Sequence, residues 1–138
     1  MNPVSFLLLF LLAYSSCTNS SAAINLDSEQ DVKKALSNKW EAAYMETVGL
    51  RNEVPETIVT QTDLFLNGTY SRGVKNGVLV KKGSWKYDPK NHALIYSTDH
   101  GNFSSRILKL TGKELITAEY MIMNDLVRDS TIFTYRKI

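Results

Sequence analysis

The chain has 138 residues, with 16 Lys and Arg against 14 Asp and Glu and a formal net charge of +2. That length bounds it to one domain of ordinary size. The near-balance of charge, with no basic cluster set in a recognition motif, excludes nucleic acid as the partner, and a single cysteine excludes an internal disulfide.

The first element is apolar. Phe6 to Ala13, Phe-Leu-Leu-Leu-Phe-Leu-Leu-Ala, is shorter than the ~20 residues that cross a bilayer, and it has the length of a secretory hydrophobic region. Met1 to Ser5 ahead of it holds no Lys or Arg. Tyr14-Ser15-Ser16-Cys17 follows and resembles the lipobox of bacterial lipoproteins, where an apolar residue and two small ones precede the cysteine; Tyr14 stands in place of the usual Leu. The resemblance implies a signal peptide over residues 1–16 and a mature N-terminus at Cys17, diacylated with palmitate-type chains and acylated on nitrogen. Such chains contribute about 0.8 kcal/mol per buried methylene, so the membrane becomes a partner through the lipid anchor at Cys17. Residues 17–26 then read as a tether, and residues 27–138 as the folded domain. No Asp stands at Thr18 and no acidic run follows Cys17, which by the same resemblance places the lipoprotein at the outer membrane facing the periplasm. The alternative is an ordinary secretory peptide cut near Ala23, which removes the cysteine. Both readings put the domain outside the cytoplasm. The sequons at Asn19, Asn67 and Asn102 read as chance matches, Asn67-Gly68 being better explained as a turn.

Asp27 to Leu36 reads as a short helix. Asp27 or Ser28 caps it, acidic residues load its first turn, and Val32, Ala35 and Leu36 form a narrow apolar stripe able to plug one end of something larger. Beyond Asn38 the pattern is strand and turn. Trp40, Ala42 and Tyr44 alternate with Lys39, Glu41 and Ala43. A longer connection runs from Val48 to Val54. Pro55 to Leu66 is the next strand, closed by Asn67-Gly68, a strong hairpin signal. Thr69 to Lys75, Val78 to Tyr87, Ala93 to Thr98, Phe103 to Leu110, Glu114 to Met123 and Leu126 to Ile138 follow, with Asn76-Gly77 and Asn124-Asp125 among the turns. Short connections force antiparallel neighbours, and a meander of about eight such strands removes its edges by closing into a barrel. The predicted fold class is therefore all-β: an eight-stranded antiparallel up-and-down barrel with a short N-terminal helix. Alternation nominates Trp40, Ala42 and Tyr44, then Leu79, Trp85 and Tyr87, then Ile116, Ala118, Tyr120 and Ile122 for the interior.

Four motifs carry a family resemblance. Asn38-Lys39-Trp40 is similar to the Gly-x-Trp opening of lipocalins. Phe65-Leu66-Asn67-Gly68-Thr69-Tyr70, Gly83-Ser84-Trp85-Lys86-Tyr87 and Leu110-Thr111-Gly112-Lys113-Glu114-Leu115 resemble hairpin, strand and turn motifs of small bacterial lipocalin-like domains. The resemblance covers Asn38 to Ile138 and implies a lipocalin-like barrel. It also implies a last-strand cation, here Arg136, packed over Trp40.

Chemistry-bearing residues are sparse. His92 and His100 fall in polar turns, no nucleophile–base–orienter set is visible, and two histidines without a second cysteine make no metal-ligand spacing. No catalytic residue, metal or cofactor is expected. Trp40, Tyr44, Tyr70, Trp85, Tyr87 and Tyr120 are the candidate ligand-binding residues, because Tyr and Trp pair an apolar body with a polar handle; filling a small barrel is their other role. The Val48–Val54 connection is the candidate lid, with Arg51 and Glu53 meeting a charged group first. Lys81, Lys82, Lys86 and Lys90 read as a solvated exterior. The expected function is a non-enzymatic, membrane-anchored barrel that binds a small apolar or amphiphilic molecule. The alternative is a protein-interaction module, an inhibitor or accessory subunit, that meets a protein partner through its loops or outer face.

Overall fold

The computed structural model describes residues 22–47, 49–55, 61–74, 77, 79–123 and 126–138, with the backbone alone for 79–80, 120–123 and 126–130. Cys17, Asn19, Asn76 and the Asn124-Asp125 turn lie outside the described residues, as does the 56–60 part of the predicted second strand.

Helix α1 spans Glu29–Leu36. Ser28 stands at its N-cap in extended conformation, but its hydroxyl donates to Asp31 Oδ2 at 2.7 Å and not to the helix backbone. Glu29 and Asp31 in the first turn and Lys33 and Lys34 in the last complement the helix dipole. Val32 and Leu36 are fully buried. The Trp40 indole N–H donates to the Leu36 carbonyl at 2.9 Å, which satisfies one of the orphan acceptors at the helix C-terminus.

Among the described residues nine strands follow: β1 Lys39–Thr47, β2 Leu50–Glu53, β3 Gln61–Leu64, β4 Thr69–Gly73, β5 Leu79–Asp88, β6 Ala93–Thr98, β7 Gly101–Leu110, β8 Glu114–Met123 and β9 Leu126–Lys137. All neighbours are antiparallel, and β1 pairs with β9 to close the sheet. β2 and β3 share one edge of β1: Lys39 to Glu41 pair with β3, and Tyr44 to Thr47 with β2. The nine strands thus make eight staves of one closed barrel, in the up-and-down order expected. The connection predicted over Val48 to Val54 is itself strand for the most part. Leu50–Glu53 folds back on β1 as a hairpin, and Val54 N–H continues the ladder to the Ala43 carbonyl at 3.3 Å.

The helix closes the end of the barrel where β1 begins. Tyr87 donates its hydroxyl to the Leu26 carbonyl, and Ile24 N–H reaches the Leu110 carbonyl at 2.8 Å, so the segment before the helix is fastened to the same end. Trp40, Leu64, Tyr87, Leu94, Ile107, Leu110 and Leu115 pack beneath Val32 and Leu36 as one apolar cluster. Gly83 lies opposite Tyr70 across β4 and β5. A Cβ there would sit 2.1 Å from the Ser97 carbonyl oxygen and 3.0 Å from the Tyr70 ring, so only glycine permits this approach.

The Asn67-Gly68 hairpin forms with a longer loop than its dipeptide signal implies. Phe65 N–H bonds to the Thr69 carbonyl at 2.9 Å, leaving Leu66, Asn67 and Gly68 as a three-residue loop, with Gly68 at φ 84° in the left-handed region. Asn67 Oδ1 accepts from the Thr69 N–H and hydroxyl, and Leu66 is pushed to the tip, 75% exposed.

Candidate functional site

Two register events decide what faces inward. On β1 the pairing with β9 shifts between Ala42 and Tyr44, a β-bulge that places Ala43 as the extra residue. Trp40 and Ala42 point into the core, and Tyr44 is turned to the exterior. There the Arg51 guanidinium carbon lies 4.2 Å and that of Arg136 5.2 Å from the ring centroid, and Arg136 donates to the Tyr44 hydroxyl at 3.5 Å. This corrects three expectations. Tyr44 does not line the interior. Arg136 stacks on Tyr44 and not on Trp40, whose opening is covered by the helix instead. Arg51 and Glu53 are exposed on β2 beside Tyr44 and form no loop lid.

On β8 the inward ladder is Leu115, Thr117 and Glu119, paired with Tyr135, Phe133 and Thr131. It runs one residue out of step with the predicted Ile116, Ala118, Tyr120 and Ile122. Alternation singled out the more apolar set, but the barrel turns the more polar one inward; Ala118 is nonetheless buried, opposite the exposed Arg106. The pairing shifts again between Glu119 and Met121, and the Tyr120 side chain lies outside the described residues.

Of the remaining candidates, Trp40, Tyr70, Trp85 and Tyr87 are all buried. Three of them spend their polar handle on closing the fold. Trp40 donates to Leu36, Trp85 donates its indole N–H to the Phe65 carbonyl at 2.9 Å, and Tyr87 donates to Leu26. Burial, then the Asp27 and Asp88 carboxylates, hold the Tyr87 hydroxyl above its ordinary pKa. These side chains fill the helix half of the barrel.

The other half is polar. Arg72 shares the inward face of β4 with Tyr70, and its side chain is only 10% exposed. Its guanidinium donates to the Tyr135 hydroxyl at 3.4 Å and faces Glu119 Oε1 at 3.7 Å. Tyr135 and Ser105 donate their hydroxyls to the same carboxylate oxygen at 3.3 and 3.2 Å. Tyr70, Tyr96 and Phe103 form a stack beside it: Tyr70 meets Tyr96 edge-on and Tyr96 lies flat on Phe103, each pair with centroids 4.8 Å apart. The Arg72 cation sits over Tyr96 at 5.1 Å and Phe103 at 5.8 Å. Burial works against this cation, but the tyrosines and Glu119 more than offset it, so Arg72 stays charged. Burial, reinforced by Glu119, pushes the Tyr135 and Tyr96 hydroxyls well above their ordinary pKa, against the opposing pull of Arg72.

Between the two halves lies a void of about 10 Å³, lined among others by Thr62, Thr117, Tyr96 and Tyr135. It has room for one water molecule at most. Thr62 Oγ1, Thr117 Oγ1, Tyr70 Oη and Arg72 Nε are buried without a hydrogen-bond partner.

Above the polar half, at the end away from the helix, a cleft of about 380 Å³ opens between β5 and the β6–β7 turn, lined by Lys81, Lys82, Thr98, His100 and Phe103 among others. Lys81 falls on the inward alternation of β5 with Trp85 and Tyr87, and its ammonium stands 5.5 Å over the Phe103 ring. Lys81 and Lys86 are both exposed, but Lys81 stands at the mouth on the inward alternation and Lys86 on the outward face. Phe103 has Arg72 on the buried side and Lys81 on the cleft side. None of Arg72, Glu119, Lys81 and Phe103 was singled out from sequence as a site residue. The available signal was parity: a cation two residues after Tyr70, and another four before Trp85.

Asp99 and His100 sit on the exposed turn at the rim, where the His100 N–H bonds to Thr98 Oγ1 at 3.2 Å. His92 pairs with Asp27 at 2.9 Å across the helix end, remote from the cleft. Among the described residues no three His, Cys, Asp or Glu side chains gather as a metal site. Comparison with known proteins gives no match: no protein-family model, no curated protein and no solved structure aligns with this chain.

Proposed function

We propose that this chain is a lipid-anchored, lipocalin-like barrel of the cell envelope that binds a small amphiphilic molecule at its open end. The observation that supports this reading is the mouth cleft of about 380 Å³, which offers an aromatic floor in Phe103 and cations in Lys81 and Lys82. Of the two ligand types expected from sequence, the amphiphile fits better. An interior void of about 10 Å³ leaves an apolar chain no room among the described side chains. A negatively charged head group at Lys81 and Lys82, with an apolar portion against Phe103, uses both features of the cleft. Arg72 behind Phe103 adds positive potential without direct contact. The reading is of a binder, not an enzyme.

Dodecanoate and 1-anilinonaphthalene-8-sulfonate are suitable probes, each with an anionic head and an apolar body. Lys81→Ala or Phe103→Ala weakens their binding about tenfold, the effect of roughly 1.4 kcal/mol. Unchanged affinity in both variants would remove the cleft from consideration. The tether is tested separately: Cys17→Ala moves the protein from the membrane fraction to the soluble one, and persistent membrane association contradicts it.

The packed interior also favours a second reading, in which the barrel acts by contact with a protein. Leu50, 70% exposed at the β1–β2 tip, is then the contact residue. In that case Leu50→Ser disrupts a complex with an envelope protein and leaves dodecanoate binding unchanged.

A further inference from the structure

Large apolar side chains exposed on the surface are distributed unevenly. Of the five among the described residues, Leu50 stands at the mouth, and Phe65, Leu66, Leu108 and Ile138 stand toward the helix end. Phe65 and Leu66 are adjacent, 45% and 75% exposed, on the three-residue loop between β3 and β4. Leu66 faces helix α1 across a groove lined by Glu29, Gln30, Lys33 and Lys34. The core does not need either side chain: Leu64 and Tyr70 flank the loop and supply its buried contacts.

The chain also enters the barrel at this end. Ile24 is hydrogen-bonded to Leu110 beside the helix, and it lies seven positions after Cys17. At 3.3–3.6 Å per residue a lipidated Cys17 lies within roughly 25 Å of Ile24. An anchor there holds the helix end at the bilayer and turns any contact of Leu66 with lipid into an intramolecular event, for which a weak apolar insertion suffices.

We propose that the helix end of the barrel is a membrane-docking face, in which Leu66 and Phe65 enter the interfacial layer of the bilayer and the mouth cleft points away from it. The inference rests on the tether at Cys17 and adds an orientation to it. Charge does not carry the docking. Part of the charge at this end is paired internally, Lys33 with Glu29 at 2.7 Å and Lys39 with Asp63 at 3.9 Å. The chemistry is that of an apolar loop tip at the boundary between head groups and acyl chains. Its consequence is that a ligand reaches the cleft from the aqueous side.

The test uses the mature protein purified from membranes. A bimane fluorophore is placed on the thiol introduced by Leu66→Cys or, as a control, Leu50→Cys. Both positions are exposed, so neither change disturbs the core. The proteins are reconstituted into phosphatidylethanolamine–phosphatidylglycerol vesicles carrying nitroxide lipids. Docking predicts quenching at position 66 at least about threefold stronger than at position 50, as expected for a side chain seated some 5–10 Å into the interface. Equal quenching in protein that floats with the vesicles overturns docking and leaves the anchor standing. Protein that does not float overturns both. A label at 66 protected from aqueous iodide yet unquenched by nitroxide lipid also overturns the proposal, since a protein or a second copy then covers the loop.

Discussion

Replacing Arg72 by Met removes the only cation within 4 Å of a carboxylate inside the described barrel. Glu119 keeps the Ser105 and Tyr135 hydroxyls as donors, at 3.2 and 3.3 Å, but loses its counter-charge. Breaking one partner of a buried pair costs ~3–5 kcal/mol. Because Glu119 retains 26% of its side-chain surface, the lower end applies and we expect about 3 kcal/mol. Glu119→Gln strands Arg72, the more buried charge at 10% exposure, and costs at least as much, about 3–4 kcal/mol. In the double variant neither charge is left unpaired, so its loss falls short of the sum by about 1–2 kcal/mol. Urea unfolding reads all of this. With a slope of about 1.5 kcal/mol per molar, Arg72→Met lowers the midpoint by about 2 M and the double variant by less than the sum. Effects that add within about 0.5 kcal/mol would refute the reasoning, because they would mean that Glu119 does not share the interior with Arg72.

Gly83→Ala drives a methyl group into the Ser97 carbonyl, and we expect about 2–3 kcal/mol of destabilisation by thermal unfolding; Ser84→Ala, on the exposed neighbouring position, serves as the near-neutral control. Alkali unfolds the barrel through Tyr96 and Tyr135. Both hydroxyls have raised pKa values when folded, so their contribution is intact below the unfolded value of 10.0 and is lost as pH rises from there toward the folded values. The urea midpoint therefore falls between about pH 10 and pH 11, and Tyr135→Phe makes that fall smaller. Trp40→Phe deprives the Leu36 carbonyl of its donor and costs about 2–3 kcal/mol, seen as a lower melting temperature.

The closed meander was legible in the sequence because its signals are local. Asn67-Gly68 marks a hairpin whatever surrounds it, and the apolar stripe of Val32, Ala35 and Leu36 needs a surface to cover. What escaped was anything decided by register. A single extra residue at Ala43 turns Tyr44 outward, and no residue type announces it. β8 presents Ile116 and Ala118 on one face and Leu115, Thr117 and Glu119 on the other; hydropathy favours the first, and only Arg72 across the barrel gives Glu119 a reason to be inside. Arg51 and Glu53 read as loop because a four-residue strand flanked by Gly49 and Pro55 carries too little pattern to be told from one. Lys81 was grouped with Lys82 and Lys86 as a solvated run, although alternation places it with Trp85. For Glu119 and Lys81 a polar residue on an inward position was the overlooked clue, and these two belong to the polar half of the barrel and the mouth.

The most direct test of mouth binding is amide chemical-shift mapping of residues 22–138 titrated with dodecanoate. The account predicts shifts concentrated at Lys81, Lys82, Thr98, His100 and Phe103, with Trp40 and Leu66 unmoved. Shifts centred on Trp40, Trp85 and Tyr87 would instead mean that the ligand displaces the core. No shift at millimolar dodecanoate would contradict small-molecule binding altogether.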